Sequence, residues 1–531
     1  MKEMNRRTLL KSTLLTGGAV AGELIPRGFA APIATKYETP EVATSCGKLR
    51  GVSHDGVHVF RGIPYSASTT GQNRFLPPRK PVPWTGVRNA FTATSVAPQI
   101  TPPPGSIGAA LRASFTQSED CLALNVFTRG LNDGQKRAVM LWIHGGGYTY
   151  GSGMSLGYDG TNLARTGDVV VVSINHRLNI FGHLYLDETG GKSYTGSGNA
   201  GILDIVAALE WVRDNISSFG GDPGNVTIFG QSGGGGKVST LLAMPSAKDL
   251  FHKAIVESGS TLKQATREEA QKTTGAVLAK LGLKASQIAE LHTMPMGKIL
   301  AASGGGGLRW GPVVDGVTLP RDPFDPDAPE VSAGVPMLIG TTETEGSFFA
   351  PSELLSLDEA AMRARLKERL GNDADDIIAL FRKRRPNATP SELYFTISAF
   401  PTSANLQAER KSALGKAPAF LYYFTWRCPA EDGRRLSPHC IEIPFAFNNV
   451  WQMPEMVGTG PEIQELADRV SGAWVAFART GNPSHALIPK WLPYGASDRS
   501  TMLINTEWKL ASDPNREERL AMSKFPRLPM F

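Results

Sequence analysis

The sequence predicts an α/β fold in which a large, mostly parallel central sheet is flanked by helices, and three observations carry that expectation. Two short apolar runs, 138–143 and 169–174, are continuous and built from bulky or β-branched residues, as strands covered on both faces must be. Between Asn199 and Ser218 the apolar residues Ile202, Ile205, Ala208, Leu209 and Val212 recur at helical spacing. A third strand pattern, 226–229, then runs into a sharp glycine-rich turn. Strand, helix, strand, turn, helix is the rhythm of parallel strands joined by crossover helices.

At the N-terminus, Asn5-Arg6-Arg7 and Lys11 precede a mildly apolar stretch at 13–24, followed by Gly28-Phe29-Ala30-Ala31. Paired arginines, a weakly hydrophobic centre and small residues before a cleavage point resemble a twin-arginine export signal over residues 1–30. On that reading cleavage falls near Ala30/Ala31, the domain is 31–531, and the mature protein is periplasmic or secreted. Residues 1–30 hold five basic residues (Lys2, Arg6, Arg7, Lys11, Arg27) and two acidic ones (Glu3, Glu23). Without them the net charge falls from +6 to +3. No basic stripe with interleaved aromatics appears, so nucleic acid is not an expected partner. Past residue 30 no apolar run is long enough to span a bilayer, and no stable membrane insertion is expected.

Further along, short β-rich runs between 43 and 63 suggest antiparallel edge strands, and the Pro-, Ser- and Gly-rich stretch 76–115 reads as surface loops. Residues 264–300 and 352–412 read as mainly helical insertions forming a cap or side region, and 463–480 as a further amphipathic helix. Cys46, Cys121, Cys428 and Cys440 lack metal-type spacing. Cys428 and Cys440 are close enough in sequence to bridge after export, although twin-arginine cargo folds beforehand in a reducing compartment; spacing leaves the question open.

Two motifs carry chemistry. Gly230-Gln231-Ser232-Gly233-Gly234 follows the strand pattern directly and is a G-x-S-x-G nucleophile elbow, a turn that lifts a serine hydroxyl above a sheet. His144-Gly145-Gly146-Gly147 follows the run 138–143, and its glycines leave backbone N–H groups unshielded to meet a developing oxyanion. The elbow lies about 90 residues after this loop, the order an α/β-hydrolase requires. Together they predict acyl transfer on that fold, with Gly146, Gly147 and Gly233 as oxyanion donors.

With these motifs in place the chain resembles the type-B carboxylesterase family, which includes the cholinesterases, from about Cys46 to Met502. Phe60-Arg61-Gly62-Ile63-Pro64-Tyr65, with Arg74, Phe75 and Trp84, is similar to the family's N-terminal segment, and 118–125 (Ser-Glu-Asp-Cys-Leu-Ala-Leu-Asn) to its second pattern. Asn175-His176-Arg177-Leu178, Phe219-Gly220-Gly221-Asp222-Pro223, 311–316 and 477–483 extend the match. The resemblance implies a serine carboxylic ester hydrolase acting on a small-molecule ester, with no metal or organic cofactor. The family's acid sits in a G-x-x-x-x-E-G run, here Gly340 to Gly346, which makes Glu345 the match and Glu343 its rival. The strand-like 335–339 before it puts that acid in the loop at a strand end. The family's histidine precedes E-x-P, here His439 before Glu442-Ile443-Pro444. A Ser232-Glu345-His439 triad follows by resemblance, with Glu442 and Ser258 buttressing the histidine.

Departures from the family are informative. Gln231 stands where an acid is usual, removing a negative charge beside the triad, and Gly233 stands where Ala is usual. The loop cysteine that pairs with the E-D-C-L cysteine is missing from 95–99, which implies that Cys121 is a free buried thiol. No tryptophan lies between Gln99 and Glu119 to match the one that cholinesterases use for quaternary ammonium, which argues against that activity. Two alternatives accompany the ester reading: amide or carbamate cleavage by the same apparatus, and a non-catalytic adhesion module, which typically lacks the nucleophile present here. The acyl and alcohol groups are set by cap-region side chains that spacing does not identify.

Overall fold

A computed structural model describes residues 38–93, 95–100, 111 and 115–525; the expected export signal lies outside the described residues. The β-forming runs become β1 (Glu41–Thr44), β2 (Gly47–Arg50), β3 (Val52–His54), β4 (Val57–Pro64), β5 (Val87–Asn89), β6 (Ala123–Thr128) and β7 (Arg137–Ile143). They continue as β8 (Val170–Ile174), β9 (Gly221–Gln231), β10 (Lys253–Glu257), β11 (Met337–Thr342), β12 (Ala419–Phe424), β13 (Ser500–Ile504) and β14 (Lys509–Ser512). Eleven of them form one sheet in the order β14-β13-β12-β11-β10-β9-β7-β8-β6-β4-β3, and β1-β2-β5 form a small second one. Pairing is parallel from β8 through β13, and antiparallel pairs close both edges. This is the α/β-hydrolase architecture.

The period-2 geometry of a strand explains how one apolar run serves two cores. Val139, Leu141 and Ile143 of β7 join one apolar cluster with the helices Ala200–Asn215 and Gly233–Leu241. Ala138, Met140 and Trp142 join the opposite cluster with the helix Pro461–Thr480. Every residue of β8 is buried in the same alternating way. Strands sandwiched between helices therefore read as continuous hydrophobic runs.

Both expected insertions are helical and carry apolar clusters of their own. One is built on Arg267–Leu281, Ala285–His292 and Met296–Ala302, the other on Glu359–Leu370, Ala374–Arg384 and Pro390–Ser398. The helix Arg267–Leu281 starts at a capping box, Thr266 accepting from the Glu269 N–H while the Glu269 side chain answers the Thr266 N–H. Family-like segments act partly as scaffolding: the Arg74 guanidinium grips both oxygens of Glu119, each at 2.6 Å, and Arg177 pairs with Asp204.

Some boundaries differ from the sequence expectation. The strand expected at 226–229 runs over the whole of β9, and the one expected at 335–339 starts after Pro336, whose ring removes a ladder donor. All four cysteines are free thiols, so Cys428 and Cys440 form no bridge; Cys440 instead donates its S–H to Gln231 Oε1 at 3.2 Å. Cys121 is a buried free thiol, its pKa pushed up by burial. Among the described residues no helix is long and apolar enough to cross a membrane.

Candidate active site

The chain turns sharply where β9 meets the helix Gly233–Leu241, and Ser232 sits on that turn at φ 59°, ψ −126°. A non-glycine residue held there stores on the order of 1–3 kcal/mol of strain, which the surroundings must overcome. They do so by clamping: the Ser232 N–H donates to Glu257 O at 2.8 Å, and Ser232 O accepts from the Gly236 N–H at 3.0 Å. The glycines that follow answer to close backbone approach. A Cβ on Gly233 would lie 2.2 Å from Gly147 O, and one on Gly234 2.0 Å from Ile143 O. Position 233, where the family commonly has Ala, has no room for a methyl group in this arrangement.

The glycine loop after β7 faces the elbow. Gly146 and Gly147 both adopt positive φ, 83° and 60°. Among the described residues the backbone N–H groups of Gly146, Gly147 and Gly233 donate to no protein acceptor. Three unspent donors therefore lie beside Ser232.

Glu345 opens a short turn just beyond β11, and both its oxygens are engaged: Oε1 accepts the Thr342 N–H at 2.8 Å and Oε2 meets His439 Nδ1. The His439 N–H adds a backbone bond to Glu345 O at 3.3 Å. Both side chains are buried, and His439 also contacts the Phe348 and Phe349 rings. Burial, the largest single influence, would lower the His439 pKa, but the Glu345 charge and hydrogen bond together with the Glu442 charge outweigh it and hold the imidazole above its ordinary 6.5. Glu343 faces elsewhere, toward Arg385 at 3.8 Å, and burial raises its pKa.

The other histidine nitrogen is occupied by a residue that sequence reading assigned only an electrostatic part. The Gln231 amide nitrogen donates to His439 Nε2 at 3.1 Å, and its oxygen accepts from Cys440. With Nδ1–H given to Glu345, Nε2 carries the lone pair, the tautomer a general base needs. No hydrogen bond joins Ser232 Oγ to His439 among the described residues. Ser232 and Glu345 do line one cavity of about 350 Å³, whose walls include Tyr148, Ser260, Phe400 and Ser403.

Behind the histidine, Ser258 Oγ donates to Glu442 at 3.0 Å and Trp474 Nε1 donates to Glu257 at 2.7 Å. Burial raises both carboxyl pKa values, reinforced by Glu442 at Glu257 and by Glu345 at Glu442. Glu257, Tyr148 and the cavity wall at 398–404 escaped sequence reading. A glutamate ending an apolar strand run was the one usable signal for Glu257.

A model of the carboxylesterase family matches residues 38–523. The chain belongs to the carboxylesterase family. It is a carboxylic ester hydrolase of the α/β-hydrolase fold. It is 38% identical to the para-nitrobenzyl esterase of Bacillus subtilis, across 90% of this chain and 97% of that protein. It is 32% identical to the phenmedipham hydrolase of Pseudarthrobacter oxydans, across 91% and 99%. The crystal structure of a Geobacillus stearothermophilus carboxylesterase superposes with a TM-score of 0.79 at 36% identity, covering 91% of this chain and 99% of that one.

Proposed function

We propose that this carboxylesterase cleaves esters through a Ser232-Glu345-His439 triad and an acyl-enzyme intermediate. The observation that carries the reading is the Glu345–His439 contact beside a cavity that also opens onto the strained Ser232 turn. In the first half His439 Nε2 takes the Ser232 proton as Oγ attacks the ester carbonyl. The N–H groups of Gly146, Gly147 and Gly233 hold the tetrahedral oxyanion, and His439 then protonates the leaving alcohol. Water deacylates the serine by the reverse route. For Oγ to reach His439, the imidazole exchanges its Gln231 bond for the Ser232 hydroxyl, the kind of tightening that substrate binding brings to an open site. Covalent trapping tests this: a fluorophosphonate should label the peptide containing Ser232, one per chain, in step with loss of activity. Full inactivation with the label elsewhere would defeat the scheme.

Gln231 shapes both pH response and selectivity in this reading. Gln231→Glu places a carboxylate against His439, favours the imidazolium and raises its pKa further. Because the base works only when neutral, the rise of kcat/KM moves to higher pH. The added charge also penalises an anionic ester over a matched neutral one by roughly tenfold or more, at an effective dielectric of about 20. Equal losses on both esters with no displacement of the pH profile would overturn this role. The native amide accordingly suits substrates that carry an acidic group.

Export is proposed on residues 1–30. Replacing Arg6 and Arg7 together with Lys should leave folded, active enzyme in the cytoplasm, since the twin-arginine route carries folded cargo and reads that pair. Unchanged extracytoplasmic activity in a fractionation assay would refute it.

A further inference from the structure

Lys237 is wholly buried, five residues after Ser232 on the helix that follows the elbow, and the catalytic scheme above makes no use of it. Its Nζ donates to two backbone carbonyls of the glycine loop, His144 O at 3.1 Å and Gly147 O at 2.7 Å, and lies 5.1 Å from the centre of the Tyr148 ring. Among the described residues no carboxylate pairs with it. Its surroundings are neutral: the His144 and His176 rings stack 4.5 Å apart, His183 meets Tyr148 edge-on, and burial holds all three histidines uncharged. Burial draws the lysine's own pKa from 10.5 to about 7. A buried amine without a counter-charge, neutral or protonated, is a costly way to fill space, which an apolar side chain of similar length would fill without penalty.

The loop carbonyls show what the cost secures. His144 O and Gly147 O accept from Lys237, Gly145 O accepts from His144 Nδ1 at 2.9 Å, and Gly146 O accepts from the Tyr150 N–H at 3.2 Å. In a planar trans peptide the C=O and the following N–H point oppositely, so the Gly145 and Gly146 carbonyls, held by His144 and Tyr150, turn the N–H groups of Gly146 and Gly147 the other way, while the carbonyls that Lys237 holds belong to the two peptides flanking these. Lys237 holds the two outer carbonyls of that run and so fixes the flanking peptides, with bonds that are charge-assisted when the amine is protonated.

We propose that Lys237 is a positioning residue that clamps both ends of the glycine loop from beneath and so keeps the oxyanion donors of Gly146 and Gly147 aimed at the substrate carbonyl. This rests on the Ser232 scheme and extends it. The clamp acts where charge develops, so its loss should fall on the transition state and spare ground-state binding. Lys237→Met keeps the length and removes the donors. It should lower kcat on the order of 10–100-fold with KM within about threefold, and weaken a trifluoromethyl ketone inhibitor in proportion to kcat/KM. Lys237→Gln, which keeps a neutral donor, should fall between Met and wild type, and it carries the same measurements if the Met variant does not fold. A folded Lys237→Met enzyme within twofold of wild-type kcat, or a loss confined to KM, would overturn the proposal. Fluorophosphonate labelling run alongside separates the two ideas: absence of label on Ser232 in the wild-type enzyme defeats the triad scheme itself, whereas normal label with unchanged kcat defeats only the clamp.

Discussion

Replacing Ser232 with Ala should lower kcat by about 10⁴–10⁶-fold and leave the protein folded. The size follows from the division of labour at the elbow. Removing Oγ abolishes the covalent route, and the remaining oxyanion donors and binding contacts sustain only a residual rate over water. Retention of the fold follows from the local structure. The Ser232 backbone is held by Glu257 O and the Gly236 N–H, both of which an alanine keeps. Alanine pays the same strain at φ 59° as serine does. Steady-state kinetics with a thermal melt check both halves. A variant that retains a tenth of wild-type turnover sinks the nucleophile assignment, and a collapsed melt shows that Ser232 matters for the turn itself.

Glu345→Gln should cost on the order of 10³–10⁴-fold in kcat, whereas Glu343→Gln should cost less than about tenfold. Glutamine at 345 nearly preserves shape but can present an N–H to His439 Nδ1, which favours the tautomer whose lone pair lies on the wrong nitrogen. It also removes the carboxylate that raises the His439 pKa, so the residual activity should rise at lower pH than in the wild type. Glu343 faces Arg385 and Arg427 and leaves the imidazole untouched. Kinetics of the two variants across pH 5–9 decide between them, and the opposite ranking would transfer the acid role to Glu343.

What the sequence revealed and what it hid divide along physical lines. The elbow and the glycine loop are local: each is a strand end followed by residues whose missing Cβ atoms are themselves the signal, so Ser232, Gly146, Gly147 and Gly233 can be read from short windows. The Glu345–His439 contact spans 94 residues, and the spacing alone contained nothing to join them; only the family resemblance did. The Gln231 amide, 208 residues from His439, was legible as a missing charge and not as a hydrogen-bond donor. Strands β10, β12 and β13 went unread because runs such as Lys-Ala-Ile-Val-Glu are too short to distinguish from a buried helical turn. Lys237 carries no signal in the sequence, since sequence does not state that its helix is covered on every side.

The order of strands across the main sheet has a consequence for how the enzyme is born. From β9 to β14 each strand lies beside the one made just before it, so a chain emerging from the ribosome can extend the sheet by one edge at a time. The elbow gains its clamp once β10, ending at Glu257, has joined β9. The histidine does not exist until residue 439, beyond β12. At a synthesis rate of about 5–20 residues per second, roughly 10–40 s separate the two events. Under the proposed triad, the nascent polypeptide carries its serine through that interval with no base to activate it, and hydrolytic power arrives only with the last fifth of translation.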